Sequence, residues 1–321
     1  MIPWCTFRLA VIAVSSLPLC AHAQDYPARV VQIVNPYQAG STTDVLARGL
    51  AVGLSSRLGQ QFVIINRAGA GGATGSASVA RADADGYTLL FAPALVASVL
   101  PADRPVETSY AADALVPVCQ TFSNAMVLAV RADSPLRSVA DLVKAAQAKP
   151  GALNYGHQGP ATIPHLAMEE FLDAAKIKIA GVPYRSDPAV ATDLLGGRLD
   201  VASIVQGTAS ANRERIRLLG IFAEERHSAF PDTPTVKEQG FDVSPTSFGG
   251  IMAPAGTPEP VLAKLEQACA AAANDEAYRT VAKGGGQPDN YYADRKTFAS
   301  RLQRDIAVKK ALLARMGQQT Q

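Results

Sequence analysis

The stretch NPYQAGSTTDVLARGL, residues 35–50, decides how this chain is read. It takes over from an apolar run, Val30 to Val34, and Asp44 then opens a segment with leucines at positions 46, 50, 54 and 58. Four-residue apolar spacing after a β-branched run predicts a strand, a tight loop and a helix. Gly49 and Gly53, one turn apart, predict that this helix lies close against a sheet. The loop itself, Gly40-Ser41-Thr42-Thr43, contains neither lysine nor arginine. The first turn of a helix leaves N–H groups without partners and carries roughly half a positive charge. Backbone donors and hydroxyls there can hold a carboxylate or phosphate with no cationic side chain. The plainer alternative is that Thr43 or Asp44 caps the helix and the small residues only fill space.

Working outward, the same alternation continues. Phe62–Ile65 reads as a short strand, and GAGGATGS turns the chain into a small-residue helix, Ser76 to Ala82. DGYTLLFA, with Asp85-Gly86 as its turn signal, is the next strand and leads to Ala92 and Pro93. A second unit begins after Val127–Val130. Ser138 with Asp141 three residues on is a capping-box variant, and Pro150-Gly151 ends that helix. LNYG is a strand, followed by a helix from Pro164 to Ala175. KIKIAGVPY alternates like a half-exposed strand, and Asp187-Pro188 reads as an N-cap with proline at the first helical position. Further strands fall at Val201–Val205 and Ile216–Phe222. Later helices carry Val261, Leu265 and Ala268, then Phe298, Leu302 and Ile306. Such βαβ order implies mainly parallel sheets covered by helices. Two α/β units without a flexible connector imply two lobes joined by crossing strands, with a cleft between them, where small ligands usually bind.

A second loop of the same kind is YGHQGPATIPH, residues 155–165. It joins a strand to a helix, and Gly156 and Gly159 free its backbone. Two such loops, one per lobe, suit the two ends of a small acid. His157 and His165 invite a catalytic reading, but neither has a recognisable partner at a nucleophile–base spacing. The glycines at 69, 71, 72 and 75 do not form the dinucleotide pattern, since position 74 is threonine. Tight turns explain them. There is no G-x-S-x-G elbow and no pair of carboxylates placed for glycoside chemistry.

Composition narrows the classes further. The chain has 321 residues, 48% apolar and 18% charged, with a formal net charge of +2. That is a globular composition with no basic block, so it carries no electrostatic footprint for nucleic acid. At the N-terminus, Arg8, the apolar Leu9–Leu19 and Ala21-His22-Ala23 have the form of a secretory signal peptide over residues 1–23, cleaved near Ala23. Cys20 raises lipid attachment as an alternative, although Leu19 is bulkier than a lipobox normally allows. Three histidines and two cysteines, Cys119 and Cys269, remain in the mature chain and show no metal-site spacing. Two buried free thiols is the expectation for this pair, and a disulfide, permitted by an oxidising compartment, is the alternative.

Taken together and in order, PYQAGSTTD, NRAGAGG, DGYTLL, KPGALNYG, PHLAMEEF, VPYRSDPA, DLLGGRLDV, DTPTVKEQGF and APAGTPEP resemble the Bug family. These are the extracytoplasmic solute receptors associated with tripartite tricarboxylate transporters. The resemblance runs from Tyr26 to about Leu302. It implies a Venus-flytrap, two-lobe periplasmic-binding-protein fold: residues 24–122 begin lobe 1, 123–222 form lobe 2, and 223–321 return to lobe 1. It implies a small organic acid as ligand, held largely by backbone groups and water at the loops matching Pro36–Asp44 and Gly156–Thr162. The candidate ligand-binding residues are therefore Tyr37, Gln38, Ala39, Gly40, Ser41, Thr42, Thr43, Asp44, Ala92, Pro93, Gly156, His157, Gln158, Gly159, Thr162, Tyr184 and Asp187. No cofactor, metal or nucleic acid is implied. The partners implied are transporter membrane subunits or a sensor protein, and the receptor is expected to be a monomeric, periplasmic non-enzyme. An exported enzyme using His157 or Asp187 as base is the rival from another class.

The chain departs from the family pattern at several of these places. Ser41 and Thr42 stand where glycine is common, and the second loop reads His157-Gln158-Gly159-Pro160-Ala161 where serines and glycine are usual. Asp187 occupies the place of a small residue. Ser203-Ile204-Val205-Gln206 follows Asp200 where Phe-Asp is common. Asp187 has two readings: a helix cap, or a carboxylate turned into the cleft toward a ligand ammonium or hydroxyl.

Overall fold

A computed structural model describes residues 26–103, 109–160, 162–245, 247–288 and 291–319. The signal segment, its cleavage point near Ala23, Cys20 and Ala161 lie outside the described residues.

Among the described residues, ten strands form two five-stranded sheets of matching design. In the first, β1 (Val31–Asn35) pairs in parallel with β2 (Phe62–Asn66) and β3 (Thr88–Pro93). β10 (Ser247–Pro254) then runs antiparallel between β3 and β4 (Leu115–Asn124). In the second, β6 (Asn154–His157) is parallel to β7 (Ala180–Pro183) and β8 (Val201–Val205). There β5 (Met126–Arg131) lies antiparallel between β8 and β9 (Ile216–Phe222). The parallel half of each sheet is the βαβ part read from the sequence. The antiparallel pairs arise because the chain crosses between lobes twice: β4 passes through Ala125 into β5, and the segment after β9 returns to β10.

The helices follow the apolar spacing. α1 (Thr42–Leu58) buries Leu46, Leu50 and Leu54 against Val31, Ile33 and Leu89 of the first sheet. Its two glycines do something other than expected. A Cβ on Gly49 would sit 3.1 Å from Val281, and one on Gly53 would sit 2.8 Å from Ala272. The close approach is therefore to two helices of the returning C-terminal segment. α2 (Ala73–Ala80) starts three residues before its expected position, and α3 (Val139–Ala148) is capped by Ser138, whose Oγ accepts the Asp141 N–H at 3.1 Å. α4 (Ile163–Ala175), α5 (Asp187–Leu195) and the short α6 (Gln206–Ala211) belong to the second lobe. α7 (Glu259–Ala273), α8 (Glu276–Gly284) and α9 (Arg295–Gln319) complete the chain. α9 places buried Phe298 edge-on to Phe248 of β10. Arg301 Nη1 donates to Gln120 Oε1 of β4 at 3.0 Å, so the C-terminal segment is tied to the first sheet.

The cysteines correct the sequence expectation. Cys119 of β4 and Cys269 of α7, both buried, form a disulfide with Cα atoms 6.5 Å apart across 150 residues of sequence. Strand and helix phase bring these side chains together, which spacing alone does not reveal. Closing so long a loop in the unfolded chain removes much of its entropy, nominally about 5 kcal/mol, with 2–4 kcal/mol more usual in practice. Reduction, or replacement of both cysteines by alanine, should lower the thermal midpoint by the equivalent of about 2–5 kcal/mol. A scanning-calorimetry midpoint unmoved by full reduction of the bond would contradict this.

Candidate functional site

The loop singled out at the start is rigid because Asp44 holds it. Ser41, not Thr43 or Asp44, is the N-cap of α1, and its Oγ accepts the Asp44 N–H at 3.2 Å. Asp44 in turn accepts from Gly40 N at 3.0 Å, Arg48 Nε at 3.1 Å and Asn66 Nδ2 at 2.8 Å. Burial alone would raise its carboxyl pKa. The bonds from Arg48, Gly40 and Asn66 outweigh burial and hold it below the usual carboxylate range. Arg48, one turn into the helix, thus neutralises the loop's only acid. Asn66 and Asn35 donate to the Tyr37 carbonyl at 3.1 and 3.3 Å and brace the loop from below. Gly40 adopts φ +81°, a conformation a side chain would strain. The Thr42 and Thr43 N–H groups, in the first turn, have no acceptor within the helix.

The second lobe presents similar ends to the same space. Thr162 caps α4 in extended conformation, its hydroxyl donating to the Gly159 carbonyl at 2.8 Å. Ser186 is the N-cap of α5, so the reading of Asp187 as the cap is corrected. Asp187 is the first helical residue and Pro188 the second. Its Oδ2 accepts the Val205 N–H at 3.0 Å, while its Oδ1 is buried with no partner. Tertiary packing puts β8 behind this side chain and diverts it from its own helix.

These ends enclose a cavity of about 30 Å³, lined by Tyr37, Ser41, Thr42, Thr43, Pro93, Leu95, Asn124, Met126, Gln158, Thr162, Ile163, Pro164, Asp187, Val205 and Ser247. The N-termini of α1, α4 and α5 all meet there. A second cavity of about 510 Å³ shares Tyr37 and Gln158, and it adds Pro36, Gln38, the 68–72 turn, Gly159, Pro160, Pro183, Tyr184 and Arg185. On the other side, sharing Thr42, an interlobe cleft of about 850 Å³ runs between Gly40, Val45, Leu46 and Val281 of one lobe and Ala191, Leu195, Ala211 and Arg215 of the other. That cleft is the most spacious of the three, but its walls are chiefly apolar. Polar groups converge on the small cavity, so we place the candidate site there and in the adjoining 510 Å³ space.

Among the sequence candidates, Tyr37, Ser41, Thr42, Thr43, Pro93, Gln158, Thr162 and Asp187 line the small cavity, and Gln38, Gly159 and Tyr184 line its neighbour. Gly40 lines the apolar cleft. Ala39, Asp44, Ala92, Gly156 and His157 line none of the three spaces. Ala92 is packed inside β3 and Ala39 faces outward. A Cβ on Gly156 would meet Leu199 and Val190 of its own lobe. His157 is buried, its ring stacked on His165 at 4.4 Å, and its Nδ1 accepts the Gly159 N–H at 3.2 Å. It shapes the loop rather than facing the cavity.

Sequence reasoning missed several lining residues. Asn124, Met126 and Ser247 come from the crossing strands and lie far from either loop in sequence. The 68–72 turn was read only as tight-turn glycine. In the structure Gly69, Gly71 and Gly72 all have positive φ, and Ala70 does too at 47°. A left-handed non-glycine residue in such a run is a strain that tends to mark functional loops, and it shows only in the structure. Among the described residues no group of three or more His, Cys, Asp or Glu side chains is placed to hold a metal.

Residues 46–318 match the family described as the tripartite tricarboxylate transporter family receptor. The chain belongs to that family. It is 31% identical over 310 residues to the "UPF0065 protein in gbd 5'region" of Cupriavidus necator, covering 96% of this chain and 94% of that one. Three solved structures share the fold: R. palustris Rpa4515 with adipate (TM-score 0.84, 28% identity, 91% of this chain and 99% of that one), periplasmic binding protein BugD (0.82, 26%, 91% and 99%), and MatC from Rhodopseudomonas palustris with bound malate (0.81, 27%, 89% and 99%). The two mixed sheets are thus the two lobes of a periplasmic solute-receptor fold, and the family is one of substrate-binding receptors. No helix among the described residues is long and apolar enough to cross a membrane.

Two outcomes follow from the geometry. Burial pushes the Asp187 carboxyl up to about 7, and the Val205 N–H offsets this only in part. Between about pH 4, where an unfolded aspartate ionises, and about pH 7, the fold binds more protons than the unfolded chain, so this group makes stability fall as pH rises. His157 acts in the opposite sense. Burial and neighbouring His165 pull its ring down to about 4, so its contribution is lost as pH falls from about 6.5 to about 4. In ligand-free protein, Asp187→Asn should therefore raise the thermal midpoint relative to wild type by an amount that grows from pH 4 to 7. A pH-independent difference would contradict the assignment. The second outcome concerns Gly207, where a Cβ would meet Thr42 of the other lobe at 2.6 Å and the Gly285 carbonyl at 3.1 Å. Gly207→Ala should hold the lobes apart, enlarging the ligand-free particle in small-angle scattering with little loss of melting temperature. An unchanged scattering profile would show that the contact yields.

Proposed function

We propose that this chain is a periplasmic receptor that captures a small organic acid between its lobes and hands it to a transporter in the membrane or to a sensor. The observation that carries the reading is the meeting of three helix N-termini on one enclosed cavity whose lining includes no lysine or arginine. Such ends bind a carboxylate by oriented N–H groups and partial charge. With no fixed cation in that cavity, the attraction stays weak enough for release. Two solved structures that share this fold hold adipate and malate, which supports a small carboxylate as the ligand. In this reading Tyr37, Thr42, Thr43, Gln158 and Thr162 contact the acid, residues 123–222 form the lobe that closes, and the receptor acts as a monomer without a cofactor. Cleavage near Ala23 delivers it to an oxidising compartment, which is consistent with the Cys119–Cys269 bond. Catalysis finds no support in the site. His157, engaged with Gly159 and His165 and held neutral by burial, is poorly placed to take a proton from a ligand.

Purified protein should melt at higher temperature with small carboxylates and be unaffected by the matching amides. At 100 times its dissociation constant a ligand adds about 2.7 kcal/mol. A thermal-shift screen in which only neutral or cationic compounds act would overturn the proposal.

A further inference from the structure

We propose that Asp187 is the specificity-determining residue of the small cavity, and that it selects acids carrying a hydroxyl or ammonium group beside the carboxylate over the matching plain acids. This rests on the carboxylate reading above and narrows its substrate class.

Donors and acceptors around the cavity are out of balance. The cavity wall is rich in donors: the first-turn N–H groups of α1 and α4 and the hydroxyls of Thr42 and Thr43. These suit a carboxylate, which brings acceptors only. Two other acceptors near the cavity are already engaged. Asn124 Oδ1 takes two bonds, from Gln206 Nε2 at 3.1 Å and Gln287 Nε2 at 2.8 Å. The Gly159 carbonyl takes the Thr162 hydroxyl. Asp187 Oδ1 stands apart: it belongs to a side chain that lines the cavity and is 1% exposed, and it has no partner. A buried acceptor left unmatched is costly, so the complementary ligand brings a donor to this point. A second carboxylate placed here would set acceptor against acceptor.

The fold also dictates which oxygen stays open. Val205 N–H is fixed on Oδ2 by the start of α6, so Asp187 does not turn Oδ1 toward the backbone without stranding that donor. A volume of about 30 Å³ suits the polar end of a ligand and not a whole acid, so the remaining chain passes Tyr37 and Gln158 into the 510 Å³ space bordered by Arg185. The 2-hydroxy and 2-amino acids have this shape: donor and carboxylate on one carbon, with the chain leading away.

Asparagine at this position gives a sharp test. In Asp187→Asn the amide oxygen is held by Val205 N–H, so the amide NH₂ points into the cavity and a donor replaces the acceptor. Titration calorimetry would use two matched sets, succinate with malate and aspartate, and adipate with 2-hydroxyadipate and 2-aminoadipate. Wild type should bind the hydroxy or amino member of at least one set tenfold or more tightly than the plain acid, about 1.4 kcal/mol. In Asp187→Asn that preference should vanish or reverse. Equal affinities within both sets in wild type would overturn the proposal and leave the carboxylate reading standing, and this comparison needs no variant. Tighter binding of the plain diacids, which would make Asp187 a protonated donor, would overturn it too, as would a preference that survives in a folded Asp187→Asn. Failure of all six acids to bind or to shift the melting temperature would remove the carboxylate reading and this proposal with it.

Discussion

The architecture depends on how the chain crosses from one lobe to the other at Asn124-Ala125. Three buried side-chain amides meet there. Gln206, at the start of α6, accepts the Ala125 N–H at 2.7 Å and donates to Asn124. Gln287, from the returning C-terminal segment, accepts the Ser123 N–H at 2.8 Å and donates to the same Asn124 oxygen. The Asn124 oxygen and both glutamine side chains are matched within this knot, and losing one partner would strand others away from water, at about 1–3 kcal/mol each. Because the two glutamines belong to different lobes, the knot fixes the end of β4 relative to both sheets. The relation between the loop before α1 and the ends of α4 and α5 follows from that placement.

Once the lobes are so placed, the electrostatics of the cavity are settled by backbone. Asp44, the only acid in the first loop, is consumed by Arg48, Asn66 and Gly40 and has no charge left to offer a ligand. What remains is a ring of helix starts with unspent N–H groups, a few hydroxyls, and one carboxyl carried in from the second lobe. Partial charges of this kind are oriented and rigid, so they recognise shape and hydrogen-bond pattern more than net charge. The same economy appears in the His157–His165 stack beneath the second loop. Tyr155 OH donates to Glu169, itself within reach of His165, so aromatic and carboxyl groups brace the loop from below and leave its upper edge to the cavity.

Much of this was legible in the residues because it is local. A β-branched run, a small-residue loop and leucines every four positions specify strand, turn and helix through neighbours a few residues apart. The repeated pattern specifies two α/β lobes, and the loops at residues 36–44 and 156–162 were recognisable as the starts of helices. The ordered family motifs extended this to the kind of receptor. Where sequence reading went astray, the deciding partner was distant. Gly49 and Gly53 meet α8 and α7, more than 200 residues away, and Cys119 finds Cys269 only because β4 and α7 share a face of one lobe.

The sequence by itself determined the elements, the two-lobe class and the chemistry available at each loop, since propensity, capping and turn conformation are properties of adjacent residues. Tertiary structure alone decided which of those groups face one another. Asp187 shows the difference. Its place before a proline read as a cap, yet Ser186 holds that position, and β8 draws one carboxyl oxygen onto Val205 while the other is left buried without a partner. Which oxygen stays unmatched depends on where a strand 18 residues later passes, and that is set by burial and packing across the whole lobe.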